Sequence, residues 1–431
     1  MVQGGNGGRR QFQRLGGQQQ QDGRTARGQQ MAGKKGWKDY SKPQRIRDAS
    51  IAIGADWNVI EEIEFNRMSK LAFEVDEPED LEFVGRLRTY EKAFDKLTTK
   101  TEKTLTYFDK VTGNMTTTED YTMTKLAKEH AGNVFATDSI LSMMMCATRS
   151  VYPWDIVITK KDKSLYFDKR DGGAFDYFSV NENAVDAPVD GATEKDSINS
   201  AGSLALEATL INQSLLAQVT NSPEAVDFGG VLPHQHADDD PSTLQSCAYR
   251  YRSFDLSLNE SEDCTLVLRT QLDAALKTPA GDTTYVNVRA LNEFDPRASS
   301  ALDWRSKLDG QRGAVLATEM KNNSSKLARW ATESYLSGAE TLKLAFVSRI
   351  SPKDPSNHTI LTVQSFRPRD LAQQMNMSLA NGWGIVKTIV DICFKLDDGK
   401  YILVKDPNKA IVRLYGINKD NVPVGSRAVV G

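Results

Sequence analysis

Beyond residue 150 the chain breaks into short runs in which apolar and polar positions alternate, the period of a half-buried strand. Trp154-Asp155-Ile156-Val157-Ile158-Thr159 and Ser164-Leu165-Tyr166-Phe167-Asp168 read as a hairpin across a Lys-Lys-Asp-Lys turn. The same signal predicts strands at 248–258, 265–271, 284–293, 313–321, 342–349, 359–366, 401–405 and 410–414. A helix is expected where Thr137-Asp138 suits an N-cap ahead of Ser139-Ile140-Leu141-Ser142-Met143-Met144-Met145-Cys146, with the consecutive methionines in the core. Further helices are expected near 324–336 and 384–396. Strands that follow one another with few helices between them point to an α+β fold, with two sheets packed face to face and peripheral helices, rather than a doubly wound one.

Three stretches fall outside this pattern. Residues 66–112 are charged and ambiguous. Residues 174–203 are acidic and poor in long aliphatics, the composition of a long loop that serves as a lid or is a plain surface excursion. Residues 231–242 form a second polar loop, with His234-x-His236 ahead of Asp238-Asp239-Asp240; its candidate ligands all lie on one segment, which favours a solvated loop over a metal site.

Composition adds a strong asymmetry. The chain has 431 residues, 39% of them hydrophobic, enough for a substantial core. The net charge is only -3, yet residues 1–49 carry 11 basic side chains against 3 acidic ones, leaving 43 basic against 54 acidic in the rest. With Gly, Gln and Arg dominating, residues 1–45 are expected to be a disordered basic tail that binds nucleic acid through phosphate neutralisation. Cys146, Cys247, Cys264 and Cys393 are unpaired in spacing, which excludes a disulfide framework and fits a reducing compartment. No apolar run approaches the ~20 residues of a membrane span.

Two tripeptides carry the chemistry of a metal-dependent nuclease. Glu293-Phe294-Asp295 and Glu319-Met320-Lys321 each close a strand-like run. On strands, Glu319 and Lys321 would share a face; Glu293, Asp295 and Glu319 would hold cations while Lys321 oriented a water or offset charge on a phosphate. A second candidate is Tyr249-Arg250-Tyr251-Arg252, whose alternation would offer rings to bases on one face and cations to phosphates on the other, or else would bury the tyrosines and solvate the arginines.

Several longer stretches go beyond pattern. Gly132-Asn133-Val134-Phe135-Ala136-Thr137-Asp138, Thr148-Arg149-Ser150-Val151-Tyr152, the run Gln311 to Ser324, Lys326-Leu327-Ala328-Arg329-Trp330, and the block from Asp391 to Lys409 closely resemble the family of the cap-binding d subunits of eukaryotic translation initiation factor 3. The resemblance covers residues 45–415.

That resemblance implies a protein that binds the 7-methylguanosine cap of mRNA without cutting it, and a fold shared with the decapping exonucleases. It implies as partners capped mRNA, other subunits of initiation factor 3 including its e subunit, and the small ribosomal subunit, in the cytoplasm, with no cofactor. Residues 46–417 would be the cap-binding domain and 418–431 a C-terminal tail. Glu293, Asp295, Glu319 and Lys321 become a vestigial metal site. The family's cap-side helix surface matches Asp138, Val151 and Tyr152, and its RNA-path strand matches Thr209 and Asn212; the next position, His in some relatives, is Gln213 here. The family's RNA gate falls on Ala174-Phe175-Asp176-Tyr177-Phe178-Ser179-Val180-Asn181-Glu182-Asn183-Ala184-Val185-Asp186-Ala187-Pro188. There Asp176, Glu182 and Asp186 would repel phosphate until displaced. Tyr152, Trp154 and Asp155 could supply a stacking face and a carboxylate for the cationic methylated base. The alternatives are a metal-dependent RNA 5'-end hydrolase, and a scaffold protein whose only RNA contact is the basic tail.

Overall fold

The computed structural model describes residues 47–189, 197–235, 240, 242–298 and 302–417. The basic tail, the C-terminal tail and His236 lie outside them. The elements run β1 (Asn58–Glu64), α1 (Phe65–Met68), β2 (Glu79–Arg88), β3 (Lys103–Thr104), α2 (Tyr121–Lys128), β4 (Val134–Thr137), α3 (Asp138–Met145), β5 (Asp155–Lys161) and β6 (Ser164–Asp168). After these come α4 (Ala201–Val219), β7 (Ala225–Gly229), β8 (Cys247–Asp255), β9 (Thr265–Leu272), β10 (Ala274–Lys277) and β11 (Thr283–Glu293). Then follow α5 (Trp304–Asn322), α6 (Ser324–Leu336), β12 (Thr341–Arg349), β13 (His358–Phe366), α7 (Pro368–Gln374), α8 (Leu379–Phe394), β14 (Gly399–Lys405) and β15 (Ile411–Ile417).

These strands form two mixed sheets, as an α+β chain should. The larger is ordered β1-β15-β14-β5-β6-β4-β9-β8-β2-β7 and the smaller β10-β11-β12-β13-β3. Pairing is antiparallel except where β4 meets β6 and β9, and where β11 meets β12. The expected hairpin is β5–β6, its turn eased by Asp162 in the left-handed region at φ 54°. The sheets join at Asp273, between β9 and β10, where Leu87, Ala248 and Leu272 of one meet Ala275 of the other. Helix α6 packs on β9 of the larger sheet and on β11 and β12 of the smaller. Met143, Met144 and Met145 lie in the main core beside Trp154 and Trp383.

Two expected strands are helices. Residues 313–321 belong to α5, where Val315, Leu316, Glu319 and Asn322 are buried at helical spacing. The alternating look of Gly-Ala-Val-Leu-Ala-Thr-Glu-Met is therefore a helix stripe of period 3.6. Thr209 and Asn212, expected on a strand, sit on α4, whose stripe Leu204, Ala208, Ile211, Leu215 and Val219 faces the core. Ser200 caps α4 by accepting from the Ser203 N–H at 3.2 Å.

Candidate nucleic-acid interface

Helix α3 begins directly on the end of β4, so its first residue, Asp138, is held at the sheet's rim. One Asp138 oxygen accepts the Ser139 N–H at 2.7 Å and the other the Gln271 N–H at 2.8 Å, fastening the helix start to β9. Opposite, α4 presents Thr209, Asn212 and Gln213, and residues Phe175, Asp176 and Phe178 complete the rim. Arg329 and Glu333 on α6, Asp273 at the sheet junction and Arg289 on β11 close this cavity of about 210 Å³. Sequence reasoning missed these four; their signal was a charged side chain inside an otherwise buried strand or helix face.

The cavity carries both signs. Asp273 accepts from the Val288 N–H at 2.8 Å and from the Arg289 guanidinium. Glu333 lies 3.6 Å from Arg289 and 3.8 Å from Arg329, and accepts from the Ser142 hydroxyl at 3.0 Å. Burial first, and the Glu333 charge second, push the Asp138 carboxyl up to about 7. The Nε atoms of Arg289 and Arg329 are buried and lack partners among the described residues.

A second cavity, also of about 210 Å³, adjoins through Arg329, which lines both, and is bounded by Tyr152, Tyr177, Ser179, Glu182 and Ser325. Segment 174–188 thus contributes to both cavities, and its hydrogen bonds run to the residues expected to meet RNA. The Phe178 N–H donates to the Thr209 hydroxyl at 3.1 Å. The Val151 and Tyr152 N–H groups converge on one Glu182 oxygen at 2.8 and 2.9 Å, and the Tyr152 hydroxyl donates to the Pro188 carbonyl at 3.3 Å. Asn181 and Asn183 fasten the segment to the α5–α6 corner: the Asn181 N–H donates to the Asn323 side chain at 2.8 Å, and the Ser325 N–H to that of Asn183 at 2.8 Å. Asn212 is tied elsewhere, accepting from the Ala290 N–H at 2.8 Å and donating to the Ala290 carbonyl at 3.1 Å. Beneath α4, buried Glu207 binds His358 at 2.7 Å and Arg349, pinning the helix to β12 and β13.

Several expectations need correction. The acidic flap is not a bare negative face: Asp176 pairs with Lys169 at 2.9 Å, and Glu182 is only 6% exposed. Trp154 is buried with its N–H on the Ser150 hydroxyl at 3.0 Å, and Asp155 is buried against Arg170 at 2.5 Å; Tyr152 and Trp154 both line the second cavity, but of the two only Tyr152 is more than marginally exposed. Tyr249 and Tyr251 are core residues, and their arginine neighbours are not solvated. Arg250 and Arg252 share Asp80 and donate at 3.0 and 2.8 Å to Ser337 and Leu336 carbonyls at the end of α6, a favourable site for cations.

The acidic tripeptides do not form a cation cage. Glu293 accepts from the Trp304 N–H at 3.0 Å and the Ser348 hydroxyl at 2.7 Å, and burial raises its pKa to about 6. Glu319 is buried, accepts from Asn323 at 2.9 Å, and is pushed up to about 7 by burial, with the Glu293 charge adding to the rise. Asp295 turns to Arg297 at 3.3 Å, and Lys321, two helix positions from Glu319, is exposed. Among the described residues no three acidic, His or Cys side chains converge as a metal site. In the first cavity Asp273 and Glu333 are compensated by arginines, Asp176 by Lys169, and Asp138 is held by backbone N–H groups, so these residues do not fit a divalent ion.

The architecture is that of the Rai1 proteins. The crystal structure of Scheffersomyces stipitis Rai1 with (3'-NADP)+ and calcium ion superposes at a TM-score of 0.51, with 10% identity, over 84% of this chain and 94% of that one, which shows the expected decapping-exonuclease-like fold and nothing of its chemistry. The family model for eukaryotic translation initiation factor 3 subunit 7 matches residues 2–416. The D subunit of that factor from Schizosaccharomyces pombe is 50% identical over 390 residues, 89% of this chain and 68% of its own length, and the D subunit from Pyricularia oryzae is 52% identical over the same shares. The chain belongs to this family of translation initiation factor 3 subunits.

Proposed function

We propose that this chain is the component through which initiation factor 3 engages the 7-methylguanosine cap of mRNA, with segment 174–188 as a gate over the site. The observation that supports it most directly is that the gate bonds three of the six expected RNA-contact residues, Val151, Tyr152 and Thr209. An RNA strand using those groups must displace the gate. The cavity's chemistry suits the ligand: Asp138 and Glu333 answer the cationic methylated base, Arg289 and Arg329 the phosphates, and Phe175 and Phe178 supply rings. The partners that follow are capped mRNA, the small ribosomal subunit and the other subunits of initiation factor 3, including its e subunit. The reading is binding rather than hydrolysis: Asp273 and Glu333 are paired with arginines, Asp176 with Lys169, and Asp138 is held by backbone N–H groups. Titration of the full chain with 7-methyl-GTP and with GTP tests this: the methylated nucleotide binds more tightly, and equal affinity would sink the proposal.

A further inference from the structure

The Glu182 carboxylate is held as an oxyanion ligand would be. One oxygen takes two consecutive backbone N–H groups, Val151 and Tyr152, at 2.8 and 2.9 Å, and the other takes the Ser179 hydroxyl at 2.9 Å. Two buried ammonium groups, Lys326 and Lys405, each 4% exposed, lie in the body behind the site. Lys405 is anchored to the Val151 carbonyl at 3.1 Å, and Lys326 lies over the Trp330 ring at 5.3 Å. Burial lowers both lysines, Lys326 to about 8; at Lys326 the charge of Glu319 opposes the fall first and that of Glu182 second, and at Lys405 Glu182 opposes it ahead of Asp406. Paired N–H donors with buried cations behind them are the groups that hold phosphate. Of these, only Glu182 and Ser179 belong to segment 174–188; the N–H groups and lysines stay with the body.

We infer that Glu182 is a built-in phosphate surrogate, occupying an oxyanion site formed by the Val151 and Tyr152 N–H groups, Lys326 and Lys405 that a phosphate of bound RNA takes over when the segment lifts. This rests on the gate reading above and adds its mechanism. An RNA phosphodiester matches a carboxylate in carrying a single negative charge on two free acceptor oxygens, so it can replace Glu182 on the same donors. Exchange of one anion for another keeps the buried lysines compensated in both states.

The test is titration of the full chain with tripolyphosphate, comparing the parent with Glu182→Gln, which keeps the shape, and Glu182→Ala, which empties the site. Both variants should bind about tenfold more tightly, equivalent to about 1.4 kcal/mol, and Lys326→Met added to either should remove the gain. Unchanged or weaker binding in both variants overturns the inference. Competition of cap analogue for capped RNA is read on the same proteins. Intact cap competition without a tripolyphosphate gain defeats the surrogate alone; a gain without cap competition defeats the cap reading and leaves the oxyanion site.

Discussion

Asn212 bridges α4 and β11: its amide oxygen accepts the Ala290 N–H, and its amide nitrogen donates to the Ala290 carbonyl and to the Ala208 carbonyl of its own helix. Asn212→Ala would leave both Ala290 groups buried without partners and should lower stability by about 2–4 kcal/mol, seen as a shift of the urea midpoint at unchanged slope. A stable Asn212→Ala protein would show that these bonds matter little. Loss of RNA binding on changing Asn212 would therefore reflect displacement of α4 as much as loss of a contact. Asp138 gives a pH signature. Its carboxyl is pushed up to about 7 in the native protein, against about 4 in an unfolded chain. Between those values the native state keeps a proton that the unfolded state has released, so this group's effect is that stability falls as pH rises through the window. In Asp138→Asn the change in melting temperature from about pH 5 to about pH 8 should be more favourable to the higher pH than in the parent. An unaltered difference would show that Asp138 does not titrate there.

At the scale of elements, helix α8 is set by two glycines. A Cβ at Gly384 would come within 2.7 Å of the Ala72 backbone nitrogen, and one at Gly382 within 2.9 Å of the Met145 side chain. Gly384→Ala should destabilise by about 1–3 kcal/mol, since backbone must shift to admit the methyl; a thermal melt at or above the parent's would contradict that packing. Much of the element list was legible. The β5–β6 hairpin, β8, β9, β11 to β15, α3 and α6 all carry strong local periodicity or caps. What misled was α5, whose small and apolar residues alternate over 313–318 while the helix kinks at Gln311. Helix α4 was hidden for a different reason: Glu207 interrupts its apolar face, and only the tertiary partners Arg349 and His358 make a carboxylate tolerable there. The acidic tripeptides failed as a site because two of their carboxylates point into the body and Lys321 lies on a helix, where residues two apart diverge.

Across the whole molecule, the two sheets meet so that α3, β9, β11, α4 and α6 converge on one cavity from distant parts of the chain. No local pattern places Asp138, Asp273, Arg289 and Glu333 together. Family resemblance found Asp138, Thr209, Asn212 and Gln213 at that cavity, but not the arginines that balance it. The same architecture sets the gate between the cavities of Thr209 and Tyr152, each bonded to it. No helix among the described residues is long and apolar enough to cross a membrane. The most direct measurement is crosslinking of this chain to RNA bearing a labelled cap, with and without excess 7-methylguanosine cap analogue, alongside a form with residues 174–188 shortened and one lacking residues 1–45. Labelling should be abolished by the analogue, strengthen when the gate is cut, and survive loss of the basic tail. Labelling that ignores the analogue and disappears with the tail would contradict the cap reading and leave a scaffold that touches RNA only through its basic arm.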